Sequence, residues 1–174
     1  PNGSRTMTAG GKPCMTRCRN NILIMKETKD EKEQESVVFH HSLPIQLRWN
    51  DADQFGHINN TLYFQYYDMA KMDYFANIPN TKIDQRHAIV TVHVDADFLS
   101  QVHIGDHVAV ETAITHIGHK SFQLAQRLID TDTKELKCVG NTIMVAYDLD
   151  INEAVEMWPD WVEAIERFEG KKLR

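Results

Sequence analysis

Residues 47–78 read LRWNDADQFGHINNTLYFQYYDMAKMDYFANI, and the pattern changes inside this stretch. Ile45, Leu47 and Trp49 alternate against Gln46, Arg48 and Asn50, the two-residue period of a half-buried strand. A polar turn follows, holding Asp51, Asp53, Gly56 and the run His57-Ile58-Asn59-Asn60. From about Asn60 the residues read as a helix. Leu62, Phe64, Tyr66, Tyr67, Met69, Ala70, Met72, Tyr74, Phe75 and Ile78 leave only Gln65, Asp68, Lys71 and Asp73 for a polar stripe. A helix this apolar is buried on more than one side, and each large side chain it buries contributes about 1.5–3 kcal/mol. Carboxylates and amides held at the mouth of such a helix are a candidate site rather than a plain connector.

Downstream, Pro79 and Asn80 end the helix. Residues 87–98 alternate as a strand, and Gly105-Asp106 marks a turn. Further strands are predicted from Val108, over 121–130 and over 135–148, with Gly118 and the run Asp130-Thr131-Asp132-Thr133 as the intervening turns. Trp158-Pro159 precedes a short helix over 160–168 with Trp161, Ile165 and Phe168 on one face. The order is strand, long apolar helix, four long strands, short helix. Strands joined by short turns predict an antiparallel meander that curls as sheets twist. One long helix is available to cover it. The predicted class is α+β, an antiparallel β-sheet wrapped around one long central helix. The helix is more apolar than one sheet requires, so a second subunit is expected against it.

The 174 residues suit one domain, and 42% hydrophobic content suits a globular one. No apolar run reaches the roughly 18 residues a membrane-spanning helix needs, so no membrane association is expected. A net charge of −6 argues against nucleic acid as a partner. Residues 1–26 carry Arg5, Lys12, Arg17, Arg19 and Lys26 with no acid, so the rest is more acidic than the whole. Residues 1–36 are expected to be a flexible segment (a cloning remnant, a processed terminus or a basic targeting segment), with the folded domain over 37–174. The compartment expected is the cytoplasm, or an organelle if the basic segment is a targeting signal. Cys14, Cys18 and Cys138 are too few for a disulfide framework and read as reduced thiols. The Cys14–Cys18 pair lacks the second pair of ligands a zinc site would need, and the histidines show no ligand spacing, so neither metal nor cofactor is expected.

The pattern R-W-x-D-x-D-x-x-G-H-I-N-N-x-x-Y-x-x-Y over 48–66 resembles the 4-hydroxybenzoyl-CoA thioesterase-like branch of the hot-dog fold. Asp97-Phe98, Gly105-Asp106, the run from Ile117 to Phe122 and Val145-Ala146-Tyr147-Asp148 follow in the same order, so the resemblance covers about 43–168. It implies a hot-dog fold in homodimers or homotetramers. It also implies hydrolysis of acyl-CoA or acyl-carrier-protein thioesters without a metal.

Thioester hydrolysis needs a base or nucleophile at the carbonyl carbon and donors for the oxyanion. Asp53 matches the family's catalytic aspartate and is ionised at neutral pH; a turn-capping aspartate is the alternative. Asn60 stands where the family places its carbonyl-polarising backbone amide, at a helix start whose N–H groups lack partners. Asn59 and Asn60 also suit N-capping. Gly56 permits a turn that a side chain would obstruct. His57 is open between orienting water, binding the acyl group and bonding within the turn. Tyr63, with Tyr67 and Phe98, is expected to line the acyl tunnel. Asp51 reads as a partner of Arg48 or a turn cap, and Asp68 as a solvated or ion-paired residue. For the CoA phosphates the family segment can be strongly basic, whereas here it reads Gly118-His119-Lys120-Ser121. Lys120 and Ser121 are the candidates there, and the thin charge leaves room for a carrier-protein substrate. The alternative is a hot-dog protein that binds or senses an acyl thioester without cleaving it.

Overall fold

The computed structural model of the chain describes residues 36–174. The expectations for the basic segment and for Cys14 and Cys18 lie outside the described residues. The elements are β1 (His41–Ile45), a short 3₁₀ turn (Trp49–Asp51), α1 (Asn60–Ala76), β2 (Ala88–Phe98), β3 (Val108–Ile117), β4 (Ser121–Asp130), β5 (Leu136–Asp148), β6 (Glu153–Ala154) and α2 (Pro159–Glu169).

The six strands form one antiparallel sheet in the order β1-β3-β4-β5-β2, with β6 paired to β5. Only β3-β4-β5 is therefore a meander. The predicted four-strand meander is corrected at β2, which pairs with β5 rather than with β3. Residues 99–107 consequently cross the end of the sheet, with Leu99 and Ser100 N–H donating to Lys137 O at 2.9 and 3.1 Å. The β4–β5 turn closes as its sequence suggests: Asp130 Oδ1 accepts from Asp132 and Thr133 N–H at 2.9 and 2.8 Å.

The first strand lies earlier than the alternation around Leu47 implies. Asp51 accepts the Arg48 N–H at 2.8 Å, which bends the chain into a 3₁₀ turn and leaves Trp49 82% exposed. That side-chain bond competes with a ladder, so apolar residues at alternate positions there do not make a strand.

The 17-residue α1 starts on a true N-cap: Asn59 Oδ1 accepts from Thr61 N–H at 3.0 Å and Thr61 Oγ1 at 2.8 Å. One side of α1 buries Tyr63, Tyr66, Tyr67, Ala70, Tyr74 and Phe75. Tyr74 and Phe75 join Ile114, Phe122, Leu124, Met144 and Trp161 in one core cluster, and Tyr63, Tyr66 and Tyr67 join Val102, Val110, Leu128 and Cys138 in a second. The other side leaves Phe64, Met69 and Met72 exposed. Lys71, expected on a polar stripe, is instead buried and ion-paired to Asp68. The C-terminal α2 has Pro159 at its first turn and ends on Gly170 at φ +67°. Its last residue, the buried Glu169, takes the Tyr74 hydroxyl and the Ile114 N–H.

Candidate active site

The loop between β1 and α1 is folded by its own side chains. Asp53 Oδ1 accepts the N–H of Phe55 at 2.8 Å and of His57 at 3.3 Å, while Asp53 N–H donates to His57 O at 2.8 Å. Gly56 takes φ +80°, where a Cβ would meet nothing within 4 Å. Torsion, not space, is what favours glycine there. Asp51 accepts the Tyr66 hydroxyl at 3.0 Å, which pins the loop to α1. Burial and that carboxylate push the Tyr66 phenol well above its ordinary value.

A cleft of about 360 Å³ opens beside this loop. Asp53, His57, Asn59, Asn60 and Tyr63 line it on the side of the loop and α1, and residues 98–102 line it on the other. Two contacts close the seam: Ile58 N–H donates to Val102 O at 2.8 Å, and His57 bridges to His103. Among the described residues Asn60 N–H meets no acceptor, whereas Thr61 N–H is taken by the Asn59 side chain and Leu62 N–H by Asn59 O. The cleft thus holds a carboxylate and an unspent backbone donor at the positive end of a helix dipole. Tyr63 stacks edge-on against Phe98 at 5.1 Å, and burial pushes its phenol up to about 12, so it stays protonated near neutral pH.

The structure brings five of the eight expected site residues together: Asp53, His57, Asn59, Asn60 and Tyr63. Gly56 shapes the turn but does not line the cleft. Lys120 and Ser121 are elsewhere. Ser121 opens β4 opposite Val145, whereas the cleft's Phe98 pairs with Cys138, seven residues along β5 and about 23 Å away at strand rise. The Lys120 ammonium donates to Ala154 O at 2.8 Å. Residues 99–102 had no motif to announce them; only the sheet order carries them to the cleft. A second cleft, of about 470 Å³, lies between α1 and β2 and is lined by Phe64, Asp68, Lys71, Thr91 and Gln126 among others. Among the described residues no three His, Cys, Asp or Glu side chains are grouped so as to hold a metal ion, and no helix is long and apolar enough to cross a membrane.

The family model of the thioesterase-like superfamily matches residues 47–165. Solved structures share the fold. One is a thioesterase from Thermus thermophilus complexed with coenzyme A and zinc, 24% identical, covering 78% of this chain and 98% of that chain, with a TM-score of 0.69. Another is the PA2801 protein of Pseudomonas aeruginosa, 28% identical, covering 73% of this chain and 98% of that chain, with a TM-score of 0.66. A third is a 1,4-dihydroxy-2-naphthoyl-CoA thioesterase from Synechocystis, 20% identical, covering 72% of this chain and 94% of that chain, with a TM-score of 0.63.

Proposed function

The chain belongs to the thioesterase-like superfamily, and from that premise we propose that it hydrolyses acyl thioesters of coenzyme A, releasing a free acid and a thiol. The observation that carries this reading is that Asp53 and Asn60, whose N–H is unengaged among the described residues, line one cleft. Asp53 takes a proton from water, or attacks directly, as the carbonyl carbon becomes tetrahedral; the new oxyanion settles on the Asn60 N–H at the start of α1. The wall of Tyr63 and Phe98 receives the acyl group beside the reacting carbon. The superfamily match and the thioesterase relatives support the reaction class, and the roles of the individual residues are part of the proposal.

Asp53 Oδ1 already closes the turn, and this favours one rival: a protein that binds the thioester without cutting it. An asparagine at 53 keeps an Oδ1 acceptor for the turn and loses the charge, so it separates the two. Thiol release should be measured over a panel of acyl-CoA and acyl-carrier-protein esters. Wild-type protein is expected to turn over, and folded Asp53→Asn to lose about 10²–10⁴ in kcat. Wild-type protein that binds acyl-CoA and releases no thiol would establish the rival.

The active assembly in this proposal is a homodimer built on the β2 edge. Two β2 strands paired antiparallel about a two-fold axis set the Ala88 end of one beside the Phe98 end of the other. Ser121, Val145 and Val90 are level across the sheet. Lys120 and Ser121 of the partner subunit would then approach the cleft, which neither reaches within one chain.

A further inference from the structure

One cleft residue, His57, belongs to a pair of imidazoles that this reaction leaves unused. His57 and His103 face each other across a backbone bridge, their rings 4.8 Å apart and crossed at 86°. His103 is held from behind: the Asp106 carboxylate accepts its backbone N–H at 2.9 Å and stands 3.9 Å from its Nδ1. His57 lines the cleft, and its backbone N–H donates to Asp53 Oδ1 at 3.3 Å. The charged and titratable groups around the pair are therefore Asp53 on the loop, Asp106 in the crossing segment and the protonated Tyr63 phenol on α1. Resting on the hydrolase reading, we propose that His57 donates the proton to the departing thiol and that His103 is its positioning residue.

A donor of this kind speeds the departure of a basic thiolate. Asp53 takes one proton from water while the water oxygen bonds to the carbonyl carbon. The C–S bond then breaks with its electron pair on sulfur, and an alkyl thiolate leaves more slowly the more basic it is. His57 in its imidazolium form gives sulfur its proton as that bond breaks. The proton held by Asp53 returns to His57, both groups are restored, and one acid and one thiol leave. A second ring against His57, rather than solvent, fixes where that proton points.

Matched esters of one acyl group test this with the full chain: the CoA thioester and an aryl thioester whose acidic thiol leaves without a proton. His57→Gln should lower kcat on the CoA ester by about 10²-fold and on the aryl ester by less than about threefold, with KM little moved. His103→Ala should show the same split at about tenfold on the CoA ester, and His103→Phe, which keeps a ring at the contact, should recover most of it. Asp53→Asn should suppress both esters alike. A folded His57→Gln that loses nothing, or loses equally on both esters, overturns the donor role and leaves the hydrolase standing. A split in His57→Gln that His103→Ala lacks overturns the positioning role. Wild-type protein that cleaves neither ester overturns the hydrolase reading and this one with it.

Discussion

Gly56 holds a φ of +80° with open space where a Cβ would go. Gly56→Ala should therefore cost only the left-handed backbone term, ~1–2 kcal/mol, read as a lower denaturant midpoint with an unchanged m-value. Asn59→Ala removes the acceptor for both Thr61 donors and should cost about 1 kcal/mol. It should also spread the helix start, so a larger fractional loss in kcat than in stability is expected if Asn60 N–H grips the oxyanion. These residues were legible because Asp53, His57, Asn59, Asn60 and Tyr63 are close in sequence, and one turn plus one helical turn carries them to the same place. His103 was not. It lies 46 residues beyond His57 in the numbering, and its arrival against the His57 ring depends on which strand β2 chooses as a neighbour.

At the scale of elements, α1 sits on the sheet through a close approach at Gly140. A Cβ there would stand 2.7 Å from the Tyr67 ring and 2.8 Å from Asp95 O, the second being backbone of the neighbouring β2. Gly140→Ala must push the helix or part the strands, and overpacking of this sort costs about 1–3 kcal/mol. Thermal unfolding should show the loss, whereas Gly118→Ala, facing the Ser121 side chain at 3.2 Å, should cost less. The helix bounds and the four long strands could be read from periodicity because each is long and its apolar positions match its period. The β1 register could not, since Asp51 turns the chain at Arg48 and strands Trp49 in solvent. Lys71 was misplaced for a related reason: its ion pair with Asp68 lets a charged residue enter a buried row.

For the whole molecule, acid and association are the two levers. Three carboxylates are held below their ordinary values: Asp130 by the Thr133 and Asp132 N–H groups, Glu135 by Lys137, Glu166 by Lys172. Depressed carboxylates stabilise the fold above the unfolded-state pKa, and that contribution is lost as pH falls through the folded one. Stability should hold down to the ordinary range of 3.8–4.5 and decline below it, as melting at stepped pH would show. In the proposed assembly association runs through β2, the edge strand beyond β5. Its Val90, Val92 and Val94 are 39%, 59% and 42% exposed, and Phe64, Met69 and Met72 of α1 are bare as well. An edge strand with this much exposed valine invites a partner strand unless something covers it. A two-fold axis through the strand would bring the two copies of its middle residues close together. Val92→Lys should then set like charges against each other at the seam and weaken association on the order of a thousandfold. Sedimentation at micromolar concentration should show wild-type protein as a dimer or larger and the variant as a monomer. Turnover should fall with the dimer fraction, since the partner's Lys120 is withdrawn from the cleft. A monomeric wild-type protein with full activity would remove both the assembly and the role given to Lys120 and Ser121. A variant that stays associated would move the interface away from β2, to the apolar face of α1.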